Sequence, residues 1–229
     1  MKNKNPFKDL NKFELILWIS SLIVITISFL IPEKKEIFNL IASLIGVTAL
    51  IFIAKGYVIG QVLIVIFAVF YGVISFFTQY YGEMITYLGM SAPIAMAAVI
   101  SWLRHPYEDT KEVKVNKLKP IQIVFMLLIA IAVTIAFYFI LGFFGTANLL
   151  LSTFSVFTSF VAASFTFMRS PYYGFCYAMN DLVLIVLWIL AAIKDISYIP
   201  MIFCFVMFLA NDLYGFINWL RMRKRQSKS

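Results

Sequence analysis

The blocks SWLR at 101–104 and NWLR at 218–221 close two long apolar stretches in the same way. Upstream of each lies a second pair of matched sites. AKG at 54–56 aligns with MRS at 168–170 at an offset of 114, which sets Lys55 against Arg169 and Gly60 against Gly174. The Trp-Leu-Arg blocks follow after a shift of three more residues. A unit that returns in this order argues for an internal repeat, and a repeat constrains the fold before any single helix is read.

Composition says where such a repeat lives. Of 229 residues, 62% are hydrophobic and 13% charged, and the mean hydropathy is +0.92. Soluble domains run near 45–50% apolar and about 25% charged. The chain therefore reads as a polytopic membrane protein. A soluble enzyme, a disordered tail and a disulfide scaffold are excluded. There is one histidine, and Cys176 and Cys204 form no CxxC pair, so zinc and redox motifs have no ligands.

Eight apolar stretches suit a bilayer about 30 Å thick: 13–31, 37–54, 57–79, 82–103, 121–144, 148–168, 172–193 and 197–220. Spanning segments must satisfy their own backbone polar groups, so all eight are expected to be helices. Most links are tight, and only 104–120 is long enough to be a real loop. Segments 37–103 and 148–220 then form two triplets of equal orientation, joined by the linker helix 121–144. This is a 3+1+3 parallel repeat, with 13–31 as an extra N-terminal helix. Parallel repeats related by an axis along the membrane normal are a known transporter plan, with the substrate site at the repeat interface.

Charge sets the orientation. With the N-terminus inside, 16 of the 19 Lys and Arg residues fall on one side: Lys2, Lys4, Lys8, Lys12, Lys55, the loop after the fourth helix, Arg169 and the 221–229 tail. Lys34, Lys35 and Lys194 fall on the other. The positive-inside rule makes both termini cytoplasmic in a cell membrane. The net charge of +8 is thus topological; anionic lipid headgroups, not nucleic acid, are its expected neighbours.

Acids inside spans mark function by default. Asp181 and Asp212 are such acids, each preceded by asparagine: Asn180-Asp181 and Asn211-Asp212. Tyr173, Tyr177, Asn180 or Asp181, Leu184 and Trp188 share a face of the seventh helix. Asn211, Tyr214, Gly215 and Asn218 share a face of the eighth, flanked by Asp212 and Trp219. Gln61, Ala68, Tyr71 or Gly72, Ser75 and Gln79 line the third; Ser152, Ser155, Ser159 and Thr166 line the sixth. Converging faces of amides, hydroxyls, acids and rings suit a flat ring bearing a hydroxylated sugar, and an acid favours a cationic ring.

Plainer roles stand beside these. Ser and Thr in membrane helices ordinarily pack or bond between helices. Trp102 and Trp219, beside arginines, read as interface anchors. Pro93 would kink the fourth helix and free a carbonyl. Glu83 reads as a helix-end residue or an entry contact, and His105 as a solvated loop residue. No HExxH, P-loop or Ser-His-Asp set occurs. The reading needs no catalytic residue, cofactor or metal. Transport without ATP machinery is then facilitated diffusion or ion-coupled; a membrane subunit that captures substrate for a separate ATPase is the alternative.

The tail NDLYGFINWLRMRKRQ (211–226), the run YYGEMITYLGMSAP (80–93) and SWLRHPYED (101–109) resemble the PnuC family of bacterial vitamin transporters from about Lys12 to Gln226. The resemblance implies uptake of nicotinamide riboside, an NAD precursor, by facilitated diffusion with cytoplasmic phosphorylation trapping the substrate. It also implies a SWEET-like 3+1+3 fold and a homotrimer. Substrate would sit between the halves at Gln61, Gln79, Asn180, Trp188, Asn211, Tyr214 and Asn218. The chain departs from the family in having Trp188 alone in mid-helix beside an Asn-Asp pair. Sibling families are associated with thiamine, riboflavin and deoxynucleosides.

Overall fold

The computed structural model describes residues 5–33, 36–77, 79 and 81–228. Of the charges counted above, Lys2, Lys4, Lys34 and Lys35 lie outside the described residues. The chain is all-helical: α1 Lys12–Ser28, α2 Ile37–Ala54, α3 Val58–Phe77, α4 Tyr81–Leu103, α5 Pro120–Phe143, α6 Leu149–Phe167, α7 Tyr173–Lys194 and α8 Ile199–Gln226. Seven of these, α2 to α8, are long and apolar enough to cross a membrane. The 17 residues of α1 span about 25 Å at 1.5 Å per residue, short of a full crossing.

Local chemistry starts and bends the helices. Asn11 and Glu14 close a capping box on α1: Glu14 N–H donates to Asn11 Oδ1 at 2.9 Å and Asn11 N–H to Glu14 Oε2 at 2.7 Å. Pro120 and Pro200 occupy the first turns of α5 and α8, where no amide is missed. Inside α4, residues Thr86–Ser91 widen into a π-turn, with Ala92 N–H bonded to Tyr87 O. The turn lies directly before Pro93, so the ladder that proline would break is absorbed by one wide turn.

Six helices close a ring. α2 packs on α3, α3 on α4, α4 on α6, α6 on α7, α7 on α8, and α8 returns to α2. α1 lies outside the ring against α2 and α8, and α5 lies against α6. A small cluster of Met90, Phe137, Leu141 and Val156 ties α5 to α4 and α6. Outward faces carry large exposed apolar side chains such as Phe143 and Leu150, as a lipid-facing surface requires.

One end of the ring holds the first and last described segments of the chain and is sealed. Trp102 and Trp219 are 0% exposed, which corrects their reading as interface anchors. Trp102 Nε1–H donates to Thr166 O at 2.9 Å, and Trp219 Nε1–H to Ile53 O at 2.8 Å. Beside them Ser101 Oγ–H donates to Phe167 O at 2.9 Å and Asn218 Nδ2–H to Ala54 O at 2.8 Å. The donors differ by 117 residues and the acceptors by 113, so each half of the chain bonds the other in the same way.

The two turns beneath the seal also match. Gly56 and Arg169 take positive φ, 70° and 57°. Gly56 N–H bonds Ile53 O and Tyr57 N–H bonds Phe52 O; Arg169 N–H bonds Thr166 O and Ser170 N–H bonds Phe165 O. This is one helix-ending motif twice. It sets Gly56, not Lys55, opposite Arg169.

The 104–120 loop is a strap. Val113 N–H donates to Gly56 O and Asn116 N–H to Arg169 O, both at 2.9 Å. Gln226 grips the same strand through Val113 O at 3.1 Å and Val115 N–H at 2.8 Å. Glu112 pairs with Arg225, and Lys111 with Asp9 at 2.8 Å. His105 is exposed, as expected, with Nδ1 2.8 Å from Ser101 O.

Candidate substrate cavity

A cavity of about 590 Å³ fills the ring, from the tryptophan seal toward the opposite end. That volume suits a small organic ligand. Its floor includes Ile53, Thr166 and Tyr173, and its mouth Glu36, Gln79, Thr146 and Lys194. Among the described residues, four lining side chains are acids, Glu36, Glu83, Asp181 and Asp212, and one is a base, Lys194.

Of the residues expected to converge, Gln61, Tyr71, Gln79, Tyr177, Asn180, Asp181, Trp188 and Asp212 line this cavity. Gln61, Asp181 and Asp212 are each at most 3% exposed. The two carboxyls face each other across the α7–α8 contact. Thr158 Oγ1–H donates to Asn180 Oδ1 at 2.8 Å, which fixes that amide. Gln79 differs from the rest: it is exposed, with φ 64°, at the mouth.

Three expected residues turn elsewhere. Asn211 Nδ2–H donates to Ser21 Oγ of α1 at 3.1 Å and to Met207 O at 2.8 Å. Tyr214 Oη–H donates to Glu14 Oε1 at 2.7 Å. Asn218 holds Ala54 O in the seal. The face of α8 that meets the cavity is Met201, Phe205, Phe208 and Asp212 instead. Neighbouring residues on a helix point 100° apart, and here Asp212 faces the cavity while Asn211 faces α1. α1, read only as an extra helix, supplies the polar partners that draw Asn211 and Tyr214 outward.

Aromatic residues add a ledge that the polar pattern did not show. Tyr71 and Tyr87 ring centroids lie 4.6 Å apart, and Phe67 is 5.8 Å from each. Phe208 joins Phe67 at 6.5 Å. On the other side Trp188 stacks on Phe205 at 6.5 Å and 14°, and touches Tyr198 at 5.5 Å. Phe67 could have been found at i−4 from Tyr71. Tyr87 could not, because the π-turn shifts the face of α4.

The model of the nicotinamide mononucleotide transporter family matches residues 36–221. The chain belongs to that family. The PnuC resemblance is borne out by a relative from Neisseria mucosa named nicotinamide riboside transporter PnuC, 26% identical over 192 residues, covering 82% of this chain and 73% of that one. A crystal structure titled as the vitamin B3 transporter PnuC has the same fold, with TM-score 0.80 and 24% identity over 95% of this chain and 94% of that one. As a family member the chain is a multi-pass membrane protein, and its relatives are transporters by name. The matched segment takes in α2 to α7, α8 as far as Arg221 and every lining residue of the cavity except Phe29, and leaves the whole of α1 outside.

Proposed function

We propose that this protein carries nicotinamide riboside across the cytoplasmic membrane by facilitated diffusion and catalyses no reaction. The observation that carries the proposal is the cavity's pairing of aromatic ledges with Asp181 and Asp212. Nicotinamide riboside is a flat pyridinium cation on a hydroxylated sugar. A desolvated cation gains about 2 kcal/mol or more over an aromatic face, and the carboxyls offset its charge. Trp188 and Phe205 would take the ring, with Gln61, Tyr71, Tyr177, Asn180, Asp181 and Asp212 around the rest; Gln79 would lie on the entry path.

The family is named for the mononucleotide and the relative from Neisseria mucosa for the riboside. The charge of this cavity favours the riboside. A phosphate at about 10 Å from a carboxylate costs roughly 1–2 kcal/mol per charge pair at an effective dielectric near 20. Among the described lining residues the one base, Lys194, sits at the mouth, so no basic side chain would hold a phosphate beside Asp181 and Asp212.

The matching seal bonds and turns support a 3+1+3 parallel repeat with α1 as an extra eighth helix. The basic residues gathered at the sealed end support cytoplasmic termini. On this reading the cavity opens outward, and the substrate leaves when the tryptophan seal parts. Phosphorylation of the riboside in the cytoplasm would make uptake one-way. A homotrimer in the lipid bilayer completes the proposal.

Uptake of labelled nicotinamide riboside into proteoliposomes with no ion gradient tests it. Uptake to equilibrium is expected. No riboside uptake alongside uptake of thiamine, riboflavin or a deoxynucleoside would move the substrate to a sibling family's. Binding without uptake would favour a capture subunit.

A further inference from the structure

Among the described residues, Asn39, Gln61 and Asp181 line the cavity with a buried polar atom that has no protein partner. Asn39 lies toward the mouth with Glu36. Gln61 Nε2 on α3 and Asp181 Oδ2 on α7 lie in the half of the cavity nearer the seal, and both side chains are 2% exposed. A carboxylate oxygen accepts hydrogen bonds and an amide nitrogen donates them. Buried groups of this kind are normally satisfied, so leaving one donor and one acceptor on helices that face each other across the ring points to a ligand that spans the cavity and supplies both. A simple cation would satisfy Asp181 and leave Gln61 unpaired. A phosphate would satisfy Gln61 and be repelled by Asp181.

A vicinal diol satisfies both. Its two hydroxyls donate to the carboxylate while an oxygen of the same sugar accepts from the amide. The remaining geometry fits. Trp188 lies seven residues beyond Asp181 on α7, about 10 Å farther along the axis at 1.5 Å per residue. That is the reach of a nucleoside from its diol to the far edge of its base. Asp212 faces Asp181 and closes the acid side, while Trp188 and Phe205 cap the ring side.

We propose that Gln61 and Asp181 clamp a ribose 2′,3′-diol, so that the cavity takes ribosides and rejects their 2′-deoxy counterparts. The proposal rests on the riboside reading above and sharpens it against the deoxynucleoside alternative. The flat ring supplies affinity and the diol supplies selection. A site built to bond a hydroxyl discriminates strongly against the analogue that lacks it, because its buried groups are left unpaired.

The test is calorimetric binding of nicotinamide riboside and its 2′-deoxy analogue to the purified protein, to Asp181→Asn and to Gln61→Leu. The wild type should prefer the riboside by roughly 30-fold or more. Each variant should reduce that ratio to within about threefold, chiefly by weakening the riboside. Near-equal wild-type affinities would overturn the clamp, as would a ratio that survives in both variants. If one variant fails to fold, the other decides alone. If the wild type binds neither compound but binds thiamine, the functional reading itself fails, which is a distinct result.

Discussion

The Trp102 and Trp219 indoles meet at 5.3 Å, tilted 48°, and each donates its N–H to a carbonyl of the opposite half of the chain. Both rings are fully buried beneath the cavity floor. They hold the two halves of the chain together at the sealed end of the cavity.

Trp219→Phe keeps a ring and deletes the bond to Ile53 O. A hydrogen bond contributes about 1 kcal/mol net, so a small loss of thermal stability in detergent is expected together with faster equilibrium exchange. Trp219→Ala should cost about 3–5 kcal/mol through its cavity. Because the rings touch, Trp102→Phe and Trp219→Phe should combine non-additively. Strict additivity in thermal unfolding would mean that the contact couples nothing.

Glu14 anchors α1 to the ring. It is 1% exposed and is contacted by Lys55 Nζ at 3.0 Å and Tyr214 Oη at 2.7 Å. Removing one partner of a buried pair is costly, so Glu14→Gln should destabilise by about 3 kcal/mol and Tyr214→Phe by about 1 kcal/mol. A Glu14→Gln protein that melts with the wild type would show that α1 is held by its apolar face alone.

Two glycines make the ring close. A Cβ on Gly174 would sit 2.6 Å from Asp212 O and Phe216 N, and one on Gly60 2.6 Å from Ile53 N. Backbone cannot yield as a side-chain tip can, so Gly174→Ala should separate α7 from α8 and lower folded yield. Gly89→Ala, whose nearest neighbour is 3.7 Å away, should be tolerated. Equal expression and melting of the two variants would contradict the close approach.

The strap carries a pH dependence. Asp9 is held below its ordinary range chiefly by its hydrogen bond from Lys111, with the Lys111 charge, Tyr57 and Lys55 adding to it. A carboxyl depressed in the folded state contributes stability above its unfolded value of about 4, and that contribution is lost as pH falls through the folded value. Asp9→Asn should lower stability at neutral pH by a small amount, since the pair is partly exposed, and leave it unchanged below the folded value, so the acid limb flattens by that same amount. An unchanged acid limb would show that the tie is unimportant.

Much of this was legible in the sequence because a bilayer leaves few options. Apolar length marked the membrane helices, and the two Trp-Leu-Arg blocks marked the two matched contacts of the seal. The register at the turns was not legible. Gly56 and Arg169 share a backbone conformation, and aligning Lys55 with Arg169 by charge hid that by one residue. Nor was the face of α8. Polarity alone cannot tell which half of Asn211-Asp212 meets a ligand and which meets Ser21 of a neighbouring helix. Tyr87 was hidden for a different reason, since regular helical spacing fails across a π-turn.

The central claim is that an acidic, aromatic-walled cavity selects a cationic riboside. Calorimetric titration of the purified protein with nicotinamide riboside, its neutral reduced form and nicotinamide mononucleotide tests it most directly. The account predicts that the riboside binds tightest, the reduced form more weakly and the mononucleotide weakest, by tenfold or more. Mononucleotide binding equal to or tighter than the riboside would contradict it.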